Sequence, residues 1–239
     1  NVLLNDDFLM CSEKDEFVYH EIMGHVSYAA NPNAKKVLII GGGDGGVVRE
    51  FTRHPDLEEI HLVEIDERVV AVSQEYFPHC TSGLSDSRVK VLALDGVEFI
   101  KNKKEYYDII IIDSTDPEDF AAGLFTKEFY SQVAQALSPN GLMMAQTENP
   151  FYDQYCIKNM YDNLKESFKE VHALSAPMII YPGIHWTFAF ASQTINPRQL
   201  TAQAEKHFAD LGPELKWYNT DWHKGAFALS SFDKKVLGL

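Results

Sequence analysis

Basic residues, cysteine and long apolar runs are all scarce in this chain of 239 residues. Against 35 Asp and Glu stand only 21 Lys and Arg, a formal net charge of -14. Such a surface repels nucleic acid and anionic membrane, so neither is expected as a partner, and it attracts cations. Cys11, Cys80 and Cys156 stand at unrelated spacings that make neither a disulfide framework nor a zinc motif. That usage fits a reducing cytoplasm. The densest apolar run, Ile109–Ile112, falls far short of the roughly 20 residues needed to cross a bilayer. No secretory signal pattern is visible. The first residue is Asn1 rather than methionine, which leaves room for a preceding segment.

What is present suits one α/β unit with a full core. Residues 2–10 alternate around Asn5-Asp6-Asp7 and predict a β-hairpin; residues 15–30 predict a helix ended by Asn31-Pro32-Asn33. Strands are then expected at 37–40, 59–64, 89–92, 107–112, 142–146, 170–173 and 186–192. Helices are expected at 47–53, 67–75, 97–101, 127–137, 154–168 and 196–211. A further strand is expected within 216–229. The alternation predicts a Rossmann-like, doubly wound, mostly parallel sheet, with an antiparallel strand late in the chain. Residues 1–14 form a small N-terminal β segment and residues 15–239 one catalytic domain.

The most informative stretch is Val37-Leu38-Ile39-Ile40-Gly41-Gly42-Gly43-Asp44-Gly45-Gly46. A buried strand runs into glycines that let the backbone turn sharply and approach a ligand. A loop built for pyrophosphate offers bare amides to an anion. Asp44 opposes a phosphate and welcomes a cation, so the loop points to a nucleoside ligand that carries positive charge. Three more strands also end in acids: Glu64, Asp95 and Asp113. Ligands of open α/β sheets bind beyond these strand ends. Glu64 lies 20 residues after Asp44, near the spacing at which an acid meets ribose hydroxyls. Asp95-Gly96 stands where a carboxylate can receive an adenine amino group. The alternative reading of any one of these acids is a cap on the following helix.

Asp113-Ser114-Thr115-Asp116-Pro117 puts two carboxylates in one short loop. Left alone in a desolvated cleft they repel each other, and the ammonium groups of a polyamine resolve that conflict. A metal is set aside, because hard cations want a more compact oxygen cage and His20 and His25 do not share a helix face. Tyr19, Tyr181 and Trp186 can line a channel for an alkyl diamine, or simply fill the core.

Together these segments resemble the polyamine aminopropyltransferases, the spermidine synthase family. The likeness rests on Asp15-Glu16-Phe17-Val18-Tyr19-His20-Glu21, Gly41–Gly46, Val63-Glu64-Ile65-Asp66, Asp95-Gly96 and Asp113–Pro117. It continues through Ala145-Gln146-Thr147-Glu148, Tyr181-Pro182-Gly183 and Trp217-Tyr218-Asn219. The resemblance implies transfer of an aminopropyl group from decarboxylated S-adenosylmethionine to a diamine, putrescine by default, giving spermidine and methylthioadenosine. It implies no cofactor and no metal, since the nucleoside sulfonium is a co-substrate. It also implies a cytoplasmic homodimer or homotetramer.

Carried over by motif, Gly41, Gly43, Asp44, Glu64, Ile65, Asp95, Gly96 and His20 hold the donor: Glu64 takes the ribose, Asp95 the adenine, and Asp44 the aminopropyl ammonium. Asp113 is the general base and Tyr19 orients the amine. Asp116, Gln146, Tyr181 and Trp186 complete the acceptor side. Intact S-adenosylmethionine carries a carboxylate where Asp44 would repel it. The chain departs from the family pattern at Glu118-Asp119-Phe120-Ala121 and at Ile179-Ile180, and only the last hairpin of the family's N-terminal β segment is expected here. Agmatine, cadaverine or a triamine stay open as acceptors. A methyltransferase or a non-catalytic polyamine-binding subunit are the competing functions.

Overall fold

The computed structural model describes residues 1–5, 8–115 and 119–239. β1 (Val2–Asn5) and β2 (Phe8–Ser12) pair antiparallel as a separate two-stranded sheet. A helical stretch follows: α1 (Glu16–Glu21), a π-helical segment over Ile22–Val26, and α2 (Ser27–Ala30). Then come β3 (Lys36–Gly41), α3 (Gly46–Thr52), β4 (Glu59–Glu64), α4 (Glu67–Tyr76), β5 (Val89–Ala93), α5 (Gly96–Ile100) and β6 (Tyr107–Asp113). The rest runs α6 (Lys127–Ala136), β7 (Leu137–Gln146), α7 (Gln154–Ser167), β8 (Glu170–Pro177), β9 (His185–Ser192), α8 (Ala202–Leu211), α9 (Thr220–Ala226) and α10 (Ser231–Leu237).

The main sheet has strand order β5-β4-β3-β6-β7-β9-β8. β5, β4, β3, β6 and β7 are parallel, and β9 inserts antiparallel between β7 and β8. The expected doubly wound sheet with a late antiparallel strand is therefore present. Its central strands are continuous apolar runs because both of their faces are covered. Val37, Ile39, Ile109 and Ile111 join the core beneath the α1–α2 stretch, while Leu38, Ile40, Ile110 and Ile112 join the core beneath α6 and α7. The strand order reverses between β3 and β6, and a crevice opens beyond their carboxyl ends. Among the described residues, no helix is long and apolar enough to cross a membrane.

Three expectations about elements need correction. The segment at 216–229 is not a strand. The Glu21 carboxylate accepts the backbone N–H groups of Lys216, Trp217 and Tyr218, all at 2.8 Å, which removes the donors a sheet ladder would use. Asn219 then caps α9 by accepting from Trp222 N. The helix expected from residue 196 starts only at Ala202, because Thr201 supplies the N-cap. Ser138-Pro139-Asn140-Gly141, between the helix expected at 127–137 and the strand expected at 142–146, lies inside β7 as an irregularity in the pairing with β6. α10 was unforeseen, although Ser230 and Asp233 form a capping box and Gly238 closes the helix at φ 66°.

Gly96 ties α5 to the central strand: a Cβ there would sit 2.3 Å from Cγ2 of the buried Ile40. Gly96→Ala is therefore expected to destabilise the fold by about 1–3 kcal/mol, an overpacking cost, read as a lower urea midpoint at unchanged slope. An unchanged midpoint would show that the strand–helix contact is slack.

Candidate active site

The crevice is organised by how closely the glycine loop passes the end of β6. Gly41 lies opposite Asp113 in the β3–β6 register. Gly41 and Gly42 both have positive φ, at 80° and 67°. A Cβ on Gly41 would fall 2.0 Å from the Asp113 carbonyl oxygen, and one on Gly42 2.6 Å from Asp113 Oδ2. Only glycine permits both the backbone conformation and the approach. Gly45, at φ 79°, completes the turn into α3.

Asp44 is buried and fully engaged. Its Oδ1 accepts from Gly46 N at 2.8 Å, and its Oδ2 lies 3.2 Å from His20 Nε2. The other ring nitrogen, His20 Nδ1, is 2.6 Å from Glu16 Oε2, so both nitrogens of one buried imidazole face carboxylates. Arg49 donates to both oxygens of Glu16. Burial alone would lower the His20 pKa, but Asp44 and Glu16 outweigh it and hold the value well above the usual imidazole range. Burial opposes the ionised forms of the two acids as well. His20 nonetheless holds Asp44 below its ordinary value, and His20 with Arg49 holds Glu16 down at about 2.

Asp113 is placed differently. It accepts from the Tyr19 hydroxyl at 2.6 Å, and Tyr19 is itself buried in α1. Burial and the nearby Asp44 carboxylate push the Asp113 pKa up to about 7, against the hydrogen bond from Tyr19. A carboxyl poised there is ionised half the time at neutral pH and can accept a proton without being inert as a base.

On the β4 side, Glu64 is buried, with Oε2 accepting from Gly43 N and Oε1 from Asp66 N, both at 3.1 Å. Burial raises its pKa against those two amides. Ile65 is 56% exposed on the rim. Asp95 is exposed and caps α5, accepting from Val97 N and Glu98 N. Gly96 packs beneath it against Ile40.

The opposite wall is aromatic. The Tyr19 and Tyr181 rings meet edge to face with centroids 6.5 Å apart, and Tyr181 lies 4.5 Å from the Trp186 ring. Trp186 Nε1 donates to Gln146 Oε1 at 3.2 Å, and Gln146 Nε2 donates to Ser114 O and to Glu148 Oε1. The Gln146 carboxamide thus organises its neighbours with both ends. Asp116 lies outside the described residues, as do Asp6 and Asp7 of the expected hairpin turn.

The structure thus gathers Tyr19, His20, Gly41, Gly43, Asp44, Glu64 and Asp113 at one switch point, with Gln146, Tyr181 and Trp186 as one wall. Ile65 and Asp95 stand on the rim. Sequence reasoning passed over Glu16 and Arg49, though Glu16 and His20 stand at the i, i+4 spacing that makes helix neighbours. It also gave no role to Glu148, a buried acid at φ 79° whose carboxylate, with Asp113 and Asp44, faces Tyr181.

The spermine/spermidine synthase domain model matches residues 16–201. A polyamine aminopropyltransferase of Clostridium perfringens (strain SM101 / Type A) is 45% identical over 234 residues, 97% of this chain and 82% of that protein. One of Alkaliphilus oremlandii is 43% identical over 235 residues, again 97% and 82%. The crystal structure of a spermidine synthase in complex with the transition state analogue AdoDATO superposes with TM-score 0.93 at 39% identity, covering 99% of this chain and 80% of that one. The spermidine synthase of Thermotoga maritima gives 0.90 at 38%, covering 100% and 80%. With that likeness across nearly its whole length, from the α1 motif to the last helices, the chain belongs to the spermine/spermidine synthase family, the polyamine aminopropyltransferases.

Proposed function

We propose that the enzyme transfers the aminopropyl group of decarboxylated S-adenosylmethionine to putrescine, releasing spermidine and methylthioadenosine. The observation that carries this reading is the 2.6 Å bond from Tyr19 to a half-buried Asp113 poised near neutrality, beside the ionised Asp44. Glu64 and Asp95 flank the nucleoside side, with Ile65 and Gly96 beneath and beside the base. Asp44 and His20 meet the aminopropyl end, where a donor without a carboxylate avoids repulsion.

The acceptor nitrogen attacks the carbon next to the sulfonium. A C–N bond forms, the C–S bond breaks, and its electron pair leaves on a neutral thioether. An alkyl amine is mostly protonated near neutral pH, so Asp113 takes the proton that frees its lone pair, while Tyr19 fixes the carboxylate. Alignment of the two substrates supplies the rest of the rate. Tyr181 and Trp186 line the acceptor's alkyl chain. Gln146 and Glu148, linked at 3.0 Å, make the far end of the channel acidic, with Asp116 assigned to the same acceptor side. No cofactor or metal is needed, because the leaving group is already activated. The reading places the enzyme in the cytoplasm as a homodimer or homotetramer.

Three outcomes test this. With decarboxylated donor, a panel of putrescine, cadaverine, agmatine and spermidine read by product mass should give the highest kcat/KM for putrescine. Turnover of intact S-adenosylmethionine instead would sink the reading and favour a methyltransferase. Asp113→Asn should lower kcat by about 100-fold or more, the usual worth of a positioned base, while donor affinity stays close to that of the parent. Near-normal turnover would remove Asp113 from that role. The sign of the pH dependence follows from a carboxyl raised to about 7. Its active form is the carboxylate, so kcat/KM for the donor, which reports the free enzyme, should fall as pH drops through about 7 and level off above it. A profile flat between pH 5 and 8 would contradict Asp113 as base.

A further inference from the structure

Behind the donor loop, metal-ligating side chains from two separate parts of the chain converge. The Glu16 carboxylate, the His79 imidazole and the Cys80 thiol place one ligand atom each within 4.8 Å of one another. Cys80 Sγ is 3.3 Å from His79 Nε2, and His79 Nε2 is 3.7 Å from Glu16 Oε1. Cys11, on β2, packs with Cys80 in one small buried cluster. A tetrahedral zinc site with bonds of about 2.0–2.3 Å has ligand–ligand edges of about 3.3–3.8 Å. The two measured edges fall in that range.

We propose that Glu16, His79 and Cys80, with a water as fourth ligand, form a binding site for a thiophilic divalent cation, zinc being the best match. A sulfur, an imidazole and a carboxylate suit zinc rather than calcium or magnesium. Binding releases the Cys80 thiol proton as the sulfur bonds the metal. Cys80 is buried and His79 is exposed, which gives the ion an entry side. The Cys80 thiolate and the Glu16 carboxylate together neutralise the dication, while Arg49 stays on Glu16. The 62 residues between Glu16 and His79 hide such a site from any spacing motif. An occupied site fastens α1 to the segment after α4. It also shares Glu16 with His20, one side chain away from Asp44.

The test uses the full chain, reduced and stripped with a chelator, and does not depend on turnover. Cobalt(II) titration should show a thiolate-to-cobalt charge-transfer band saturating at one equivalent and abolished by one equivalent of zinc. Cys80→Ala should lose the band while keeping the parent's circular dichroism. His79→Ala, at an exposed position, should weaken zinc in a chelator competition. Cobalt uptake without the band, or uptake unchanged in the Cys80 variant, overturns the proposal.

Discussion

Burying a carboxylate is costly unless a cation or several donors meet it, and this chain buries Asp44 at the mouth of its sheet. The solution propagates inward. Asp44 is met by His20, which is held by Glu16, which is held by Arg49, which also donates to Glu50. Glu50 in turn faces His25, whose other nitrogen lies 3.1 Å from His54. Alternating charges thus run from Asp44 to Glu50, and side-chain contacts carry on through His25 and His54 into the packing beneath α2 and α8. Removing one member leaves its neighbour buried and unpaired, which costs more than the pair itself contributes.

This chain of pairs fixes where the α1–α2 stretch must lie. Gly46 has no room for a Cβ, which would sit 2.1 Å from His20 Nδ1, so α3 is pressed against α1 through the imidazole. Tyr19, the adjacent residue on α1, is thereby aimed at Asp113 across the switch point. Asp113 differs from Asp44 in its surroundings: it accepts from a neutral hydroxyl rather than a cation, and the Asp44 carboxylate beside it pushes its pKa up. Two acids at the ends of neighbouring strands therefore hold opposite protonation tendencies, one firmly ionised and the other poised.

Much of this was legible in the sequence, and unevenly. The apolar runs of β3 and β6 and the glycine loop between β3 and α3 declare a buried parallel sheet and its switch point, because periodicity and glycine act locally. The acids at the strand ends were legible as a group, yet their inequality was not. That Asp95 is an exposed cap while Asp44 is a buried ion depends on which helix lies above each strand. Residues 216–229 read as a strand because alternation is a local signal, whereas the carboxylate that captures their amides belongs to Glu21, nearly 200 residues earlier. Arg49 is hidden for the same reason, because it meets Glu16 only through the fold, whereas Glu16 stands at helix spacing from His20.

The contrast between the two acids gives the proposed reaction an order. While Asp113 is about half protonated, only its ionised half can accept a proton from an incoming amine. A donor bound against Asp44 brings a sulfonium and an ammonium into the same crevice. One unit charge at about 5 Å and an effective dielectric of about 20 is worth about 3 kcal/mol. That is ample to empty a carboxyl poised near neutrality. On the proposed roles, the donor would thus create its own base, and an acceptor arriving first would meet an Asp113 that is only half ready. The same positive charge repels a protonated acceptor and tolerates the neutral one, so loss of the amine proton and entry into the channel favour each other. On the same proposal, Asp44 would contribute to both steps without touching the reacting atoms, by selecting the cation that sits beside Asp113.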